Sequence, residues 1–272
     1  MSGKGVKRAS PGASTEKNPL GDVELTDEDA AKLNDIQKEI ARTELLLERR
    51  AQEALYPVYE KRRAILKGIN KFWPVALMNN SMFALHAQHN SDQVALSYLE
   101  DVWVSRDTKE SRCFTLEFYF KENPYFSDSV LKKEYKWSPG PAAAEEKPDA
   151  DGLTGSMIDF SWERDVEPQA TKINWKDDSK NLTKLHPRVT DEEGDDMPAE
   201  AGSFFNLFED AEDPFDLGVL IANDVFPEAT DYFLGRAGGE GIDSDDEEDS
   251  EDEEDEEEID LEKPRPKKQK QA

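Results

Sequence analysis

The chain's first clear pattern is a long stretch in which apolar residues recur at intervals of three and four. Between residues 26 and 73 these positions are Leu33, Ile36, Ile40, Leu47 and Ala54. This is the a/d spacing of paired helices. Thr26 stands before a first turn rich in acids, which is typical of a helix N-terminus. The pattern predicts one long helix with a kink at Pro57, because proline lacks the N–H that bonds the carbonyl four residues earlier.

A helix over residues 26–73 would be roughly 70 Å long at a rise of 1.5 Å per residue. That is longer than a compact domain of this size is wide, so its apolar stripe must be buried against something. An intramolecular core helix is one interpretation. We favour the other, in which the helices of two copies pair in a homodimer. Residues 23–75 are therefore predicted to be a dimerisation helix.

Farther along the chain the periodicity changes to two. In EDVWVSRD (100–107) and RCFTLEFYF (112–120) apolar and polar residues alternate, and the intervening DTKES is predicted to be a hairpin connector. VLKKEYKW (130–137) predicts a third strand and TKINWK (171–176) a fourth. Because the strands expose one apolar face, they predict an antiparallel sheet that other segments must cover.

Residues 138–168 begin rich in Pro, Ala and Gly and are predicted to be a loop or insertion, in which SMIDFSWE is a candidate edge strand. Three later segments, FFNLFED, LGVLIANDVF and ATDYFL, are predicted to be short helices that cover the sheet. Within the first, the side chains expected in the core are Phe204, Phe205, Leu207 and Phe208. The fold class predicted for residues 76–235 is α+β.

The charge of the chain is strongly negative. It has 62 Asp and Glu against 34 Lys and Arg, a formal net charge of −28. Residues 243–262 hold 16 of the acids and no base, and the last ten residues hold five bases and no acid. Residues 1–22 and the acidic tail 236–272 are predicted to be disordered. Nucleic acid as the main partner is disfavoured, because it would repel this chain; a basic protein is favoured.

Several classes of site and protein are not supported by the sequence. There is no apolar run of the ~20 residues that a membrane helix needs, and MSGKGVKRASPGAST lacks the core of a secretory signal. We therefore expect a soluble intracellular protein. His86 and His89 lack further zinc ligands nearby, and DADG (149–152) fails the calcium-loop pattern. No catalytic residue, metal or cofactor is predicted.

Several segments together resemble the nucleosome assembly protein family of histone chaperones, most closely its SET type. In order they are LYPVYEKRRAIL, INKFWPVAL, YLEDVWVSRD, FTLEFYFKENPYFSDSVLKKEY, INWKDDSKNLT, SFFNLFED and LGVLIANDVFPEATDYFL. The likeness covers residues 26–235 and is followed by an acidic tail. It implies a homodimer joined by paired long helices, with an "earmuff" α+β domain whose concave underside binds core histones. The 138–168 segment departs from SET proteins in its length and Pro/Ala content.

The resemblance also implies a function and a set of residues. The function is that of a histone chaperone that shields histone charge during nucleosome assembly and disassembly. The histone-binding acidic face maps onto Asn206, Glu209, Asp210, Glu212, Asp213 and Asp216. An alternative is an acidic scaffold or inhibitor that acts on a histone acetyltransferase or a phosphatase. A calcium-buffering tail is a second, weaker alternative.

The tail carries two further candidate features. Its basic cluster, at Lys263, Arg265, Lys267 and Lys268, is of the nuclear-import type and predicts residence in the nucleus with shuttling to the cytoplasm. The alternative is a terminus that folds back onto the adjacent acids. Ser244 and Ser250 are each followed directly by acids, as an acid-directed kinase requires, and phosphorylation would add about −1.5 to −2 charge at each.

Overall fold

A computed structural model describes residues 26–189 and 200–238 of the 272-residue chain. The chain divides into two units between Gly238 and Gly239, and the second unit lies outside the described residues. The predictions for residues 1–22, for the phosphorylation sites Ser244 and Ser250 and for the basic cluster therefore concern parts of the chain that the structure does not describe.

Helix α1 spans Asp27–Leu66, and the Thr26 hydroxyl caps it by accepting a hydrogen bond from the Asp29 N–H at 3.1 Å. The helix continues through Pro57. The prediction that it would reach residue 73 is wrong. Lys71 adopts a left-handed conformation, with φ of 57°, and the chain turns there into a separate helix α2, Phe72–Met78.

The sheet has four antiparallel strands in the order β1-β2-β3-β4. They are β1 Leu99–Arg106, β2 Phe114–Phe120, β3 Val130–Trp137 and β4 Val166–Gln169. The first three strands confirm the alternation in the sequence. The fourth was predicted at 171–176, and this is wrong. That segment bonds to other partners, because the Thr171 N–H donates to the Phe208 carbonyl and the Ile173 N–H to the Glu209 carboxylate.

Short helices make up the rest of the regular structure. Before the sheet and between β3 and β4 they are α3 Ser81–His86, α4 Asn90–Leu96, α5 Pro141–Ala144, α6 Gly155–Ile158 and α7 Trp162–Asp165. After the sheet they are α8 Leu182–Leu185, α9 Asn206–Glu209, α10 Leu217–Leu220, which runs into a π-turn Ile221–Val225, and α11 Ala229–Phe233. A 3₁₀ turn spans Asp178–Lys180. SMIDFSWE therefore contributes to α6 and α7, and the candidate edge strand is wrong: Thr154 caps α6 by accepting from the Met157 N–H.

The core lies between the inner face of the sheet and the C-terminal helices. Alternate residues of β2 are buried, as the period of two predicted. The aromatic run of α9 packs on them, with the rings of Phe118 and Phe208 5.3 Å apart. The residues predicted for the core are all buried: Phe204, Phe205, Leu207 and Phe208. The fold is α+β, as predicted.

Residues 141–165, which we call the strap, pack against the middle of α1. Leu45 of α1 is 3% exposed because Leu153 and Met157 of the strap cover it. Two ion pairs stand beside this contact, from Arg42 Nη2 to Asp149 Oδ2 at 2.7 Å and to Asp151 Oδ2 at 2.5 Å. The segment predicted as a loop or insertion thus supports part of the long helix.

The fold makes a prediction about the thiol of Cys113, the only cysteine in the sequence. The residue is fully buried at the end of the β1–β2 connection. Burial, and then the carboxylates of Glu110 and Asp107, raise the pKa of the thiol to about 12. Because the thiolate is the reactive form, Ellman's reagent at pH 8 should label the native protein at least a hundredfold more slowly than the protein in denaturant. Fast, stoichiometric labelling of the native chain would contradict this packing.

Candidate acidic binding surface

The six residues predicted for the acidic face lie in and around one connection between α9 and α10. Residues 209–216, which we call the acidic loop, follow the buried aromatic run and precede Leu217. The loop ends close against the sheet. A Cβ on Gly218 would lie 1.8 Å from the hydroxyl oxygen of Tyr135. Only glycine permits this approach, so β3 fixes the distance between the loop and the sheet.

A buried cation anchors the acidic loop to β3. Lys133 is fully buried, and its Nζ donates to the carbonyls of Asp210 at 2.6 Å and Ala211 at 2.8 Å. Burial lowers the pKa of Lys133 to about 8. A neutral amine retains two N–H donors, so both carbonyls can remain bonded whichever form is present. The sequence analysis missed this residue, although Lys133 stands at an inward position between Leu131 and Tyr135 in the alternating pattern of β3.

Asp213 forms a second anchor. Its carboxylate accepts from the Tyr135 hydroxyl at 2.5 Å, from the Leu217 N–H at 3.1 Å and from the Gly218 N–H at 2.7 Å. These bonds join β3 to the first turn of α10. Burial, and then the charge of Asp213 and its hydrogen bond with the Tyr135 hydroxyl, raise the pKa of Tyr135 well above its usual range. The carboxylate of Asp213 is therefore engaged inside the protein.

Two more of the six residues support the fold. Asn206 is 4% exposed and donates to the His186 carbonyl at 3.3 Å. Its placement on an exposed face was wrong, because the same turn buries it together with the aromatic run. Glu209 is half-buried, and its carboxylate accepts from three donors: the Ile173 N–H at 3.2 Å, the Trp175 Nε1–H at 3.2 Å and the Thr183 hydroxyl at 2.5 Å.

The acids that face solvent are Glu212, Asp216 and, in part, Asp210. The Asp210 side chain is 42% exposed and pairs with Arg188 at 2.9 Å. Asp216 is exposed and adopts a left-handed backbone, with φ of 50°. Partial desolvation and then the neighbouring Asp213 raise the pKa of Asp216. The exposed acidic surface consists of these three residues and is smaller than the predicted face.

The apolar residues predicted for dimerisation are exposed in the single chain. Leu33, Ile36, Ile40 and Leu47 are between 49% and 60% exposed, and Ala54 is also exposed. Val58 at 52% and Ile65 at 69% continue the same stripe beyond Pro57. The sequence analysis did not include these two, although the spacing of three and four extends to them. We call the whole stripe, from residue 33 to residue 65, the seam.

The opposite side of α1 is covered by the same chain. Leu45 lies under the strap. The Tyr56 ring lies 5.6 Å from the Trp103 ring, and Arg63 Nε donates to Asp101 Oδ2 at 2.5 Å. At about 100° per residue these three positions share one face, roughly opposite the seam. Helix α1 therefore has one face that its own domain buries and one that it does not.

Within residues 26–189 and 200–238, no three His, Cys, Asp or Glu side chains are arranged to hold a metal ion. In the same ranges no helix combines the length and the apolar character that a membrane span needs. The rings of His89 and His186 instead stack on each other, 3.8 Å apart.

The depressed pKa of Lys133 leads to a prediction about stability. Its folded pKa of about 8 lies below its ordinary value of 10.5, so between those pH values the unfolded chain binds the extra proton. Stability must then rise with pH in this window. We expect the free energy of unfolding of the wild type, minus that of Lys133→Met, to increase from pH 8 to pH 10 by up to about 1.4 kcal/mol per unit. Urea unfolding at each pH measures this difference, and a flat or falling difference would contradict it.

Solved structures share this fold. A Ccp1 mutant is 25% identical, with a TM-score of 0.58 over 77% of this chain and 95% of that one. Vps75, at 17% identity, has a TM-score of 0.54 over 78% of this chain and 99% of that one. The likeness to Vps75 is one of fold alone.

Sequence comparisons identify the family. Nucleosome assembly protein 1;1 of Arabidopsis thaliana is 33% identical over 193 residues, which are 65% of this chain and 49% of that protein. Nucleosome assembly protein 1;3 of Nicotiana tabacum is 30% identical over 192 residues, 65% of this chain and 48% of that protein. The chain thus spans about half the length of these curated relatives. The family model "Nucleosome assembly protein (NAP)" matches residues 66–236. Since this match covers more than half of the chain, the protein belongs to the nucleosome assembly protein family.

Proposed function

We propose that this protein is a histone chaperone, which binds core histones as a homodimer and shields their charge while nucleosomes are assembled or taken apart. The observation that carries the proposal is its membership of the NAP family together with a net charge of −28. Histones are dense in Lys and Arg and precipitate with DNA when the two are mixed directly. A polyanion that competes with DNA phosphates lets deposition proceed in order. The activity is binding, not catalysis.

Two acidic elements would bind the histones. The first is the exposed acidic surface of Asp210, Glu212 and Asp216. Its loop is anchored to the sheet by Lys133, which bonds the backbone, and by Tyr135, which bonds the Asp213 carboxylate. The second is the acidic run of the tail. Each exposed charge pair contributes only about 0–1 kcal/mol, so binding must be multivalent and weakened by salt. The anchored surface should supply discrimination among histones, and the tail should supply mainly association rate.

The seam supports the dimer. Its apolar side chains run from Leu33 to Ile65 along the side of α1 that the protein's own domain does not cover. A stripe at this spacing is the normal interface of paired helices. The nucleus is the compartment that this function requires, and we assign nuclear import to the basic cluster.

The first prediction concerns dimerisation. Ile36→Asp with Ile40→Asp places two charges in the seam, where pairing would bury them without partners. We expect the double variant to sediment as a monomer at concentrations at which the wild type is a dimer. Sedimentation velocity measures this.

A matched control is Ala31→Asp with Asn34→Asp. It adds the same charge to α1 on a different, exposed face, and it should remain dimeric. If Ile36→Asp with Ile40→Asp sediments like the wild type, the seam is not the interface.

The second prediction separates the acidic surface from the tail. Glu212→Lys with Asp216→Asn reduces the negative charge of the surface, and Asn is chosen because it tolerates the left-handed backbone of residue 216. We expect lower affinity and an altered preference among core histone pairs. A chain that ends at Gly238 should bind more weakly at low salt and keep its preference. Titration of each variant with each histone pair at two salt concentrations tests both.

The control for the acidic surface is Glu163→Lys with Glu167→Gln. Both residues are exposed, outside the acidic loop, and the change in charge is equal. This variant should keep the wild-type preference. If truncation abolishes binding while Glu212→Lys with Asp216→Asn has no effect, the tail alone binds histones. Failure of the full-length wild type to bind any core histone pair would refute the proposed function.

A further inference from the structure

We propose that the acidic surface is one half of a composite binding site, and that Met82 and Leu85 of α3 form its other half, an apolar patch for a non-polar side chain of the same basic partner. The proposal rests on the proposed function and deepens it. Met82 is 51% exposed and Leu85 is 55% exposed. Residues three apart on a helix are neighbours, so the two side chains form one patch.

A direct contact joins helix α3, which carries the apolar patch, to the acidic loop. The His86 ring of α3 lies 4.6 Å from the ring of Phe215, which stands next to Asp216 in the loop. The guanidinium of Arg188, which pairs with Asp210, lies over the same Phe215 ring, 5.6 Å from its centroid. Helix α3 therefore carries Met82, one turn before His86, and Leu85, next to His86, beside the loop that holds the exposed acids.

The His86 ring, which lies at the border between the two halves, is neutral at physiological pH. Burial lowers the pKa of His86, and this outweighs the effect of Asp213. The imidazole thus adds no positive charge beside Glu212 and Asp216. A partner meets carboxylates and apolar carbon, with no competing cation on His86.

Helix α3, which carries the apolar patch, is held in place by an N-cap and by packing against the core. The Asn80 side chain caps α3 by accepting from the Phe83 N–H at 2.9 Å. Phe83 is fully buried and packs on Phe204, with the ring centroids 5.1 Å apart. Because Phe83 points into the core, Met82 and Leu85 are held outward. Their exposure follows from the packing of the helix, and binding requires no rearrangement of it.

Charge complementarity decides which partner fits. A second copy of this chain would bring further negative charge towards Glu212 and Asp216. A lysine-rich extended tail would satisfy the carboxylates and leave Met82 and Leu85 exposed. A folded basic protein with an apolar side chain among its Lys and Arg residues satisfies both halves, and a core histone pair is such a partner.

The test uses the full-length chain with Met82→Ser and Leu85→Ser. Each variant is titrated with core histone pairs and with polylysine over a series of salt concentrations. Loss of apolar contact should lower the affinity for a histone pair about tenfold, with an unchanged slope of affinity against salt and unchanged polylysine binding. Glu212→Lys with Asp216→Asn should instead reduce the salt slope for both ligands, because it removes charge.

Two controls accompany the serine variant. Val94→Ser with Leu234→Ser removes exposed apolar side chains outside α3 and the acidic loop, and it should bind like the wild type. Met82→Leu with Leu85→Met keeps the apolar area and should restore affinity. Thermal unfolding of all variants verifies that the fold is retained.

Three results would overturn the composite site. They are an unchanged histone affinity in the serine variant, an equal loss for polylysine, and a change in sedimentation that shows a second copy on the patch. Each leaves the proposed function standing as long as the wild type binds histones. If the wild type binds no histone pair, the proposed function fails and the inference fails with it.

Discussion

The packing of the aromatic run that leads into α9 against the inner face of the sheet is the contact on which the other features depend. Phe204, Phe205 and Phe208 are at most 2% exposed and meet the inward residues of β2 and the base of α3. A chain with this much negative charge repels itself, so its stability must come from a dense apolar core. That core also determines where the neighbouring acids stand, because the acidic loop continues directly from the run.

The acidic loop shows how a fold divides carboxylates between structure and binding. Glu209 and Asp213 accept hydrogen bonds from donors on several elements, and the buried Lys133 holds the loop backbone. With these bonds in place, Glu212 and Asp216 remain exposed. A few carboxylates held in fixed positions can discriminate among partners. A dense acidic segment without fixed geometry attracts any cation. The proposed division of labour between surface and tail follows from this difference.

Helix α1 illustrates a second division, between two faces of one element. The domain and the strap cover one face through Leu45, Tyr56 and Arg63, and the seam stays open on the other. The strap matters because it extends the covered face towards the N-terminus, where the sheet does not reach. An apolar stripe that is left open over this length is costly in water, and the proposed pairing with a second copy would remove that cost.

The sequence by itself determined the features that depend on local periodicity. Spacings of three and four predicted α1, alternation predicted β1 to β3, and the side chains of Phe204, Phe205, Leu207 and Phe208 were predicted to be in the core. Only the tertiary structure decided the rest. Val166–Gln169 and not residues 171–176 became the fourth strand, because the N–H groups of Thr171 and Ile173 bond to two residues of α9. The tertiary structure also decided which carboxylates face solvent and which accept hydrogen bonds inside the protein. The donors to Asp213, for example, include Tyr135, which lies 78 residues earlier in the chain. The periodicity of the sequence indicates whether a residue belongs to a strand or a helix. Its burial and its hydrogen bonds depend on which distant segments the fold packs against it.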